Sequence, residues 1–479
     1  MKIQFLIIIF LNVITLPSIA QKLTKITGFV PEAKDSSWTV KVSVENKNSI
    51  SANRYTFFET ETQNGRFSFD FEIDKASLIT LHINGYRLFF PGVYQVLIEP
   101  KDSLDFRVNN IKKLGLLDIE VTGKGCEKIN FTKETTKATF KIFKTDPVYS
   151  KQTIQYKFET TDRKLSVIDS VYDFFRDNVS QQAKDIIKAI TYHDVLDNLF
   201  VSATRSESDS LHYLFDKYIV KKSRMNVLLK KEVVNYFPYH VLGNYILLSE
   251  FRNPVKDVGY NFFWKRSLEY ANLVEKYFGE NIPIKEFLLA DLTVKTLKKE
   301  MLSDSTKALH DFYNMNVKGN SIFYQEVQNF YNYFSRTLVS GVPFYRFELP
   351  DTAGNLHRLD DFKGKVVVMD FWFNGCVGCA QMTKVLDSLE SQVSKNEVEF
   401  ISVSIDTKKR WLDGIGRFSS VNSLQLYTNE KGSDHPLLKY LKFSSYPMLV
   451  LIDKKGNFAG IPPDPRSKSK EFVEFVNSF

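Results

Sequence analysis

Cysteine is scarce in this chain, with three residues among 479. So few exclude a small fold stapled by disulfides, which needs several bridges. Beyond the first twenty residues no long apolar run recurs, so no second membrane-spanning segment is expected. Blocks of one charge are also missing. The 64 Lys and Arg are scattered among 56 acidic residues, for a formal charge of +8. The longest basic clusters, Lys408-Lys409-Arg410 and Lys221-Lys222, are short. That pattern describes a solvated surface and argues against a nucleic-acid partner. No convincing internal repeat and no low-complexity tract is visible.

What is present fits a globular protein. Hydrophobic residues make up 43% and charged residues 25%, with 41 Phe and 23 Tyr to fill cores. The length suggests about three domains. At the N-terminus, Lys2 precedes an apolar run from Ile3 to Leu16, interrupted by Gln4, Asn12 and Thr15. Ser18-Ile19-Ala20 then supplies a small-x-small cleavage pattern, with Gln21 as the mature start. Residues 1–20 read as a secretory signal, with an uncleaved anchor as the other reading. No Cys stands at the cleavage point, so no lipid anchor is expected there.

The remaining chain divides into three patterns. Residues 21–126 are mostly period two, as in WTVKVSVEN, GRFSFDFEI, LITLHI and YQVLIEP, with turn signals between. They predict an antiparallel β-sandwich. Residues 127–338 carry apolar positions at three and four, as in AKDIIKAITYHDVLDNLF and FFWKRSLEYANLVEKYF. They predict a helical region whose aromatics form packing core. Residues 339–479 alternate strands and helices: a hairpin around Ala353-Gly354-Asn355, an apolar strand to Phe371, a helix from Cys379, strand VEFISVSI, strand PMLVLID and a closing helix. That order predicts an α/β domain, giving a multidomain chain overall.

Chemistry concentrates in DFWFNGCVGC, Asp370 to Cys379. Cys376 and Cys379 follow a strand and open a helix. There, unpaired N–H groups and the helix dipole favour a thiolate on the first cysteine. The spacing brings the second sulfur within bonding reach, so it can resolve a mixed disulfide. A zinc half-site would need two more ligands. No second CxxC exists, and His357 and His435 lack zinc-finger spacing. No metal ligands and no cofactor are therefore assigned. A purely structural disulfide is disfavoured, because so short a loop adds little stability. The pattern favours a redox pair. Cys126 reads as a small buried residue of the β domain.

With these motifs in place, the stretch from about Gly341 to Phe479 resembles the TlpA/ResA-type thioredoxin-like thiol-disulfide oxidoreductases, especially the long multidomain forms of Bacteroidetes. The resemblance rests on FELPDTAGNLHRLDDFKGKVVVMDFWF, EFISVSIDTKKRWLDGI and FSSYPMLVLIDKKGNF. LIEPKDSLDF and VTGKGCEK resemble the end of the N-terminal β domain of such proteins. The resemblance implies Cys376 as the attacking nucleophile and Cys379 as the resolving cysteine. It implies Asp370 as the buried acid that moves the proton of the second Cys. Pro447 matches the cis-proline facing the pair. Tyr446, before it, matches the residue whose backbone pairs with the substrate chain. Trp372 matches the packing tryptophan beneath the site and is grouped with these two on the substrate-binding side.

The chain also departs from the family. Gly375 replaces an aromatic before the first Cys, which predicts an opened site and an exposed Cys376. Val377-Gly378 replaces the usual intervening pairs, and Met382 stands where ResA-type proteins carry Glu. The expected activity is an exported protein-disulfide reductase in the periplasm or cell envelope. Its partners would be disulfide-bearing exported proteins and, by the resemblance, a membrane electron donor. Self-association through the N-terminal domains is open. Two other functions compete with this one. A peroxiredoxin-type peroxidase needs Thr where Phe373 stands. An envelope binding protein with an accessory redox domain would keep its role without the CxxC.

Overall fold

The computed structural model describes residues 23–45, 50, 55–87, 95–111, 117–144, 152–174, 179–233, 236, 240–259, 262, 266–390, 392–394, 396–442 and 445–479. The expected signal at 1–20 lies outside these. No helix among the described residues is long and apolar enough to cross a membrane. The chain divides into two compact units between residues 260 and 261.

The first unit opens with strands β1 (Leu23–Phe29), β2 (Thr39–Glu45), β3 (Tyr55–Glu61), β4 (Arg66–Glu72) and β5 (Ser77–Ile83). Strands β6 (Tyr86–Arg87), β7 (Val96–Ile98), β8 (Ser103–Ile111) and β9 (Leu117–Lys124) complete it. They form two sheets, ordered β4-β1-β8-β9 and β3-β2-β5-β6, with β7 also on β5. In β4 the sequence RFSFDFE buries every second residue, so Phe67, Phe69 and Phe71 enter the core while charged neighbours stay outside. Inner residues of both sheets share one apolar cluster, including Ile26, Val42, Leu81, Phe106 and Val121. The sandwich is not wholly antiparallel as predicted: β1 runs parallel to β8. β4 first returns to β1 as an antiparallel neighbour; β8 reaches its other edge only after β5, β6 and β7 have joined the second sheet, a long-range pairing that period-two patterning does not encode.

Helices follow at once: α1 (Cys126–Lys144), α2 (Ile154–Phe174), α3 (Gln181–Ala203), α4 (Leu211–Phe215), α5 (His240–Glu250) and α6 (Pro254–Asp257). Ser180 caps α3 by accepting from the Ala183 N–H at 3.1 Å.

The second unit begins with α7 (Ser267–Phe278), α8 (Ile282–Glu300), α9 (Asp304–Asn316) and α10 (Tyr324–Thr337). The helical region predicted as one block is thus shared between the units, because the later helices pack on the α/β part. Phe334 and Leu338 enter the same core as Val367, Met369, Phe371 and Leu441, and Tyr333 donates to the Tyr440 carbonyl at 2.7 Å.

The α/β part contains the hairpin β10 (Glu348–Pro350) and β11 (Leu356–Arg358), then β12 (Val366–Trp372), α11 (Val377–Glu390), β13 (Val398–Ser404) and α12 (Lys408–Gly414). It ends with β14 (Leu424–Tyr427), α13 (Pro436–Leu441), β15 (Met448–Ile452), β16 (Phe458–Gly460) and α14 (Ser469–Asn477). Five strands form one sheet, ordered β14-β13-β12-β15-β16. β12 pairs parallel with β13 and antiparallel with β15. As the central strand, VVVMDFW is buried on both faces along its whole length. Val366 and Val368 pack with α11 and α14. Val367, Met369 and Phe371 pack with α13 and the end of α10. β14 and α13 were not predicted. β14 is only four residues long, and its Leu-Gln-Leu-Tyr alternation is too brief to separate from a loop.

Candidate redox site

The alternation along β12 sets up the site. Asp370 lies on the α11 side of the sheet, in line with Val366 and Val368. The chain then turns through Phe373, Asn374 and Gly375 into α11. Gly375 has φ +102°, a conformation that side-chain-bearing residues rarely adopt, and nothing crowds its Cβ position. Two side chains from beyond β13 hold this turn. Asp406 accepts from the Asn374 N–H at 2.5 Å, and Arg410 donates to the Asn374 carbonyl at 2.6 Å. Arg410 also pairs with Asp406 at 3.0 Å. Sequence reasoning missed this clamp. Both residues lie in a stretch quoted for the resemblance, yet neither type nor spacing signals a partner over thirty residues away.

Cys376 immediately precedes α11, and Cys379 lies in its first turn. Their sulfurs are bonded, with Cα atoms 5.2 Å apart. The Cys379 backbone N–H lies 3.0 Å from Cys376 Sγ, where it can donate to a thiolate once the bond opens. The expectation that Gly375 leaves Cys376 exposed is corrected: Cys376 is 5% exposed and Cys379 1%. Instead Val377, 72% exposed, projects beside the pair. Glycine here serves the backbone turn, and Cys376 packs into a cluster with Trp372, Trp411, Phe418 and Tyr427.

Trp372 is a packing residue, as the resemblance implies, and only its grouping with the substrate-binding residues is corrected. It is fully buried, and a Cβ on Gly414 would fall 2.6 Å from its ring. It supports the floor of the site and presents no surface to a substrate.

The Tyr446–Pro447 bond is cis. Pro447 lies against the first turn of α11, where a Cβ on Gly378 would sit 3.0 Å from its Cδ. Gly378 therefore permits the close approach of helix and proline loop. The Tyr446 ring is edge-on to Phe373, centroids 5.8 Å apart, and burial pushes its hydroxyl up to about 12. Arg466 reaches the same turn, donating to the Gly378 carbonyl at 3.4 Å while pairing with Asp464.

Asp370 is buried and faces Ser402, whose hydroxyl donates to Oδ2 at 3.4 Å. Its Oδ1 has no hydrogen-bond partner among the described residues. Desolvation first, with repulsion from buried Glu390 added, raises its pKa to about 7, against the donated bond from Ser402. Glu390 is itself held by Ser423 at 2.5 Å and Ser420 at 3.2 Å. The remaining sequence candidates have local partners. His357 lies 3.1 Å from Asp351, and His435 accepts from the Leu437 N–H at the start of α13. Cys126 is half-buried and free, at the head of α1 rather than in a strand.

A mixed sheet, a CxxC disulfide at a helix start and a cis-proline against it define a thioredoxin-like domain. Residues 364–458 match the family described as thioredoxin-like. The chain is 29% identical over 110 residues to the thiol-disulfide oxidoreductase ResA of Geobacillus kaustophilus, covering 23% of this chain and 61% of that protein. It is 29% identical over 132 residues to the ResA of Geobacillus thermodenitrificans, covering 27% and 74%. A putative thiol-disulfide oxidoreductase from Bacteroides vulgatus, solved by crystallography, is 30% identical, with 30% of this chain and 98% of that one covered and a TM-score of 0.26. The C-terminal part of the chain is a thioredoxin-like domain related to the ResA-type oxidoreductases.

Proposed function

We propose that the chain is an exported thiol-disulfide oxidoreductase that reduces disulfides in cell-envelope proteins through Cys376 and Cys379. The observation that carries this reading is the bonded pair at the start of α11 with Pro447 against that turn; the buried acid Asp370, on the strand leading into it, supports the reading. In the reduced enzyme the Cys376 thiolate attacks one sulfur of a client disulfide. A mixed disulfide forms and the first client thiolate leaves. Cys379, deprotonated towards Asp370, then attacks Cys376 Sγ and the second client thiolate leaves. Two electrons pass to the client, which gains two protons, and the enzyme is left as the disulfide. An external dithiol reductant, such as a membrane electron donor, must return the two electrons. The backbone of Tyr446 is the surface on which an extended client segment would pair.

The test is the reduction potential of the pair, equilibrated in glutathione or dithiothreitol buffers with free thiols trapped. A value near that of thioredoxin, about −270 mV, is expected. A value near about −120 mV would make the protein an oxidant, and no reversible couple would put the alternative, the binding-protein reading, in first place. In the same assays Cys379→Ser accumulates mixed disulfides on Cys376, whereas Cys376→Ser forms none.

A further inference from the structure

Helix α3 carries His193 and Asp197 four residues apart, the spacing that puts two side chains on one face. His240, the first residue of α5, meets them. Its Nε2 lies 2.8 Å from Asp197 Oδ1, and its ring stands edge-on to that of His193, centroids 5.4 Å apart. One nitrogen of each imidazole and one carboxylate oxygen of Asp197 all fall within 4.8 Å of one another.

Two further observations favour a ligand over simple packing. His193 Nδ1 lies 2.9 Å from a carboxylate oxygen of Asp194. A carboxylate only accepts, so Nδ1 is the donor of that pair and, in the neutral ring, Nε2 is the nitrogen left to bind an ion. Metal-bound histidines are oriented in this way, by a carboxylate behind the ring. Exposure is also graded across the cluster. The His193 side chain is 6% exposed, that of Asp197 22% and that of His240 51%. The cluster is closed on one side and open to solvent on the other.

We propose that His193, Asp197 and His240 bind one divalent transition-metal ion of the zinc class, with water in the remaining position. Two neutral imidazoles and a carboxylate are a borderline donor set suited to such an ion. Bonds of about 2.0–2.2 Å put tetrahedral ligand atoms roughly 3.3 Å apart. The Asp197–His240 pair therefore opens slightly, and the wider pair closes by side-chain rotation. The ion would clasp α3 to α5, helices that the sequence separates by residues 204–239. This site lies in the first unit and uses neither cysteine of the CxxC.

The experiment uses the purified chain in its disulfide-oxidised form, so that Cys376 and Cys379 cannot take up metal. Zinc is titrated against a chromogenic chelator, with thermal unfolding followed in parallel. One equivalent is expected to bind, and the midpoint of the first unit is expected to rise by about 3 °C or more. His240→Gln, at the exposed ligand, and His193→Gln should each weaken binding at least tenfold. Asp194→Asn should weaken it about tenfold through the lost orienting bond. His357→Gln should change nothing. Absence of stoichiometric uptake, or uptake that survives His240→Gln and His193→Gln together, would overturn the proposal. A His193→Gln chain that fails to fold leaves the His240→Gln result decisive.

Discussion

Asp370 places a carboxyl on the central strand of an apolar sheet, and its proton is governed by that burial. Its pKa is raised from 3.8 to about 7 in the folded chain. Between those values the folded state holds a proton that the unfolded chain has released. Stability therefore falls as pH rises through this window and stays at the lower level above it. Asp370→Asn removes the charge, so it should stabilise the protein by on the order of a few kcal/mol at pH 8. The gain should vanish below pH 4, as read by urea unfolding at both pH values. The same variant should slow resolution of the mixed disulfide by roughly 10²-fold near pH 7, since the acceptor for the Cys379 proton is lost. A stability gain without that rate loss would leave Asp370 as a strand residue with no part in thiol exchange.

At the scale of elements, the junction from sandwich to helix is locked by one cation. Lys128, in the first turns of α1, pairs with Asp102 at 2.9 Å and Glu99 at 3.0 Å, with Lys128 and Asp102 both 6% exposed. Asp102 Oδ2 also accepts from the Glu99 N–H at 2.7 Å. Gly125 has φ +95°, and a Cβ there would fall 2.2 Å from Asp102 Oδ1. The stretches EPKDS and TGKGCEK are therefore two halves of one buried ionic turn. Lys128→Ala leaves two acids facing an empty buried site and should cost about 3–5 kcal/mol. Denaturant unfolding followed by a probe in the first unit reads this loss.

At the scale of the molecule, the division into units differs from the division into patterns. Because Phe334 and Leu338 complete the α/β core, a fragment of residues 339–479 exposes the surface they covered. It should be roughly 3–6 kcal/mol less stable than residues 262–479, counting about 1.5–3 kcal/mol for each lost side chain. Equal stability of the two fragments would mean that α10 adds nothing to the α/β core.

Local sequence determined a good deal of this protein. The alternation in RFSFDFE, the unbroken VVVMDFW and the CxxC at a strand-to-helix turn each encode their own structure, because backbone periodicity and helix-terminus chemistry act over a few residues. Cys376 and Cys379 could be named from that local information, whereas Asp370, Tyr446 and Pro447 were named through the family resemblance. Tertiary structure alone decided the rest. The parallel β1–β8 pairing, the Asp406–Arg410 clamp, the burial of Cys376 and Trp372, the packing of α10 on the α/β core and the meeting of His193 with His240 depend on residues far apart in the chain. Their energies come from burial and hydrogen bonding between distant segments, and these exist only once the fold has brought the segments together.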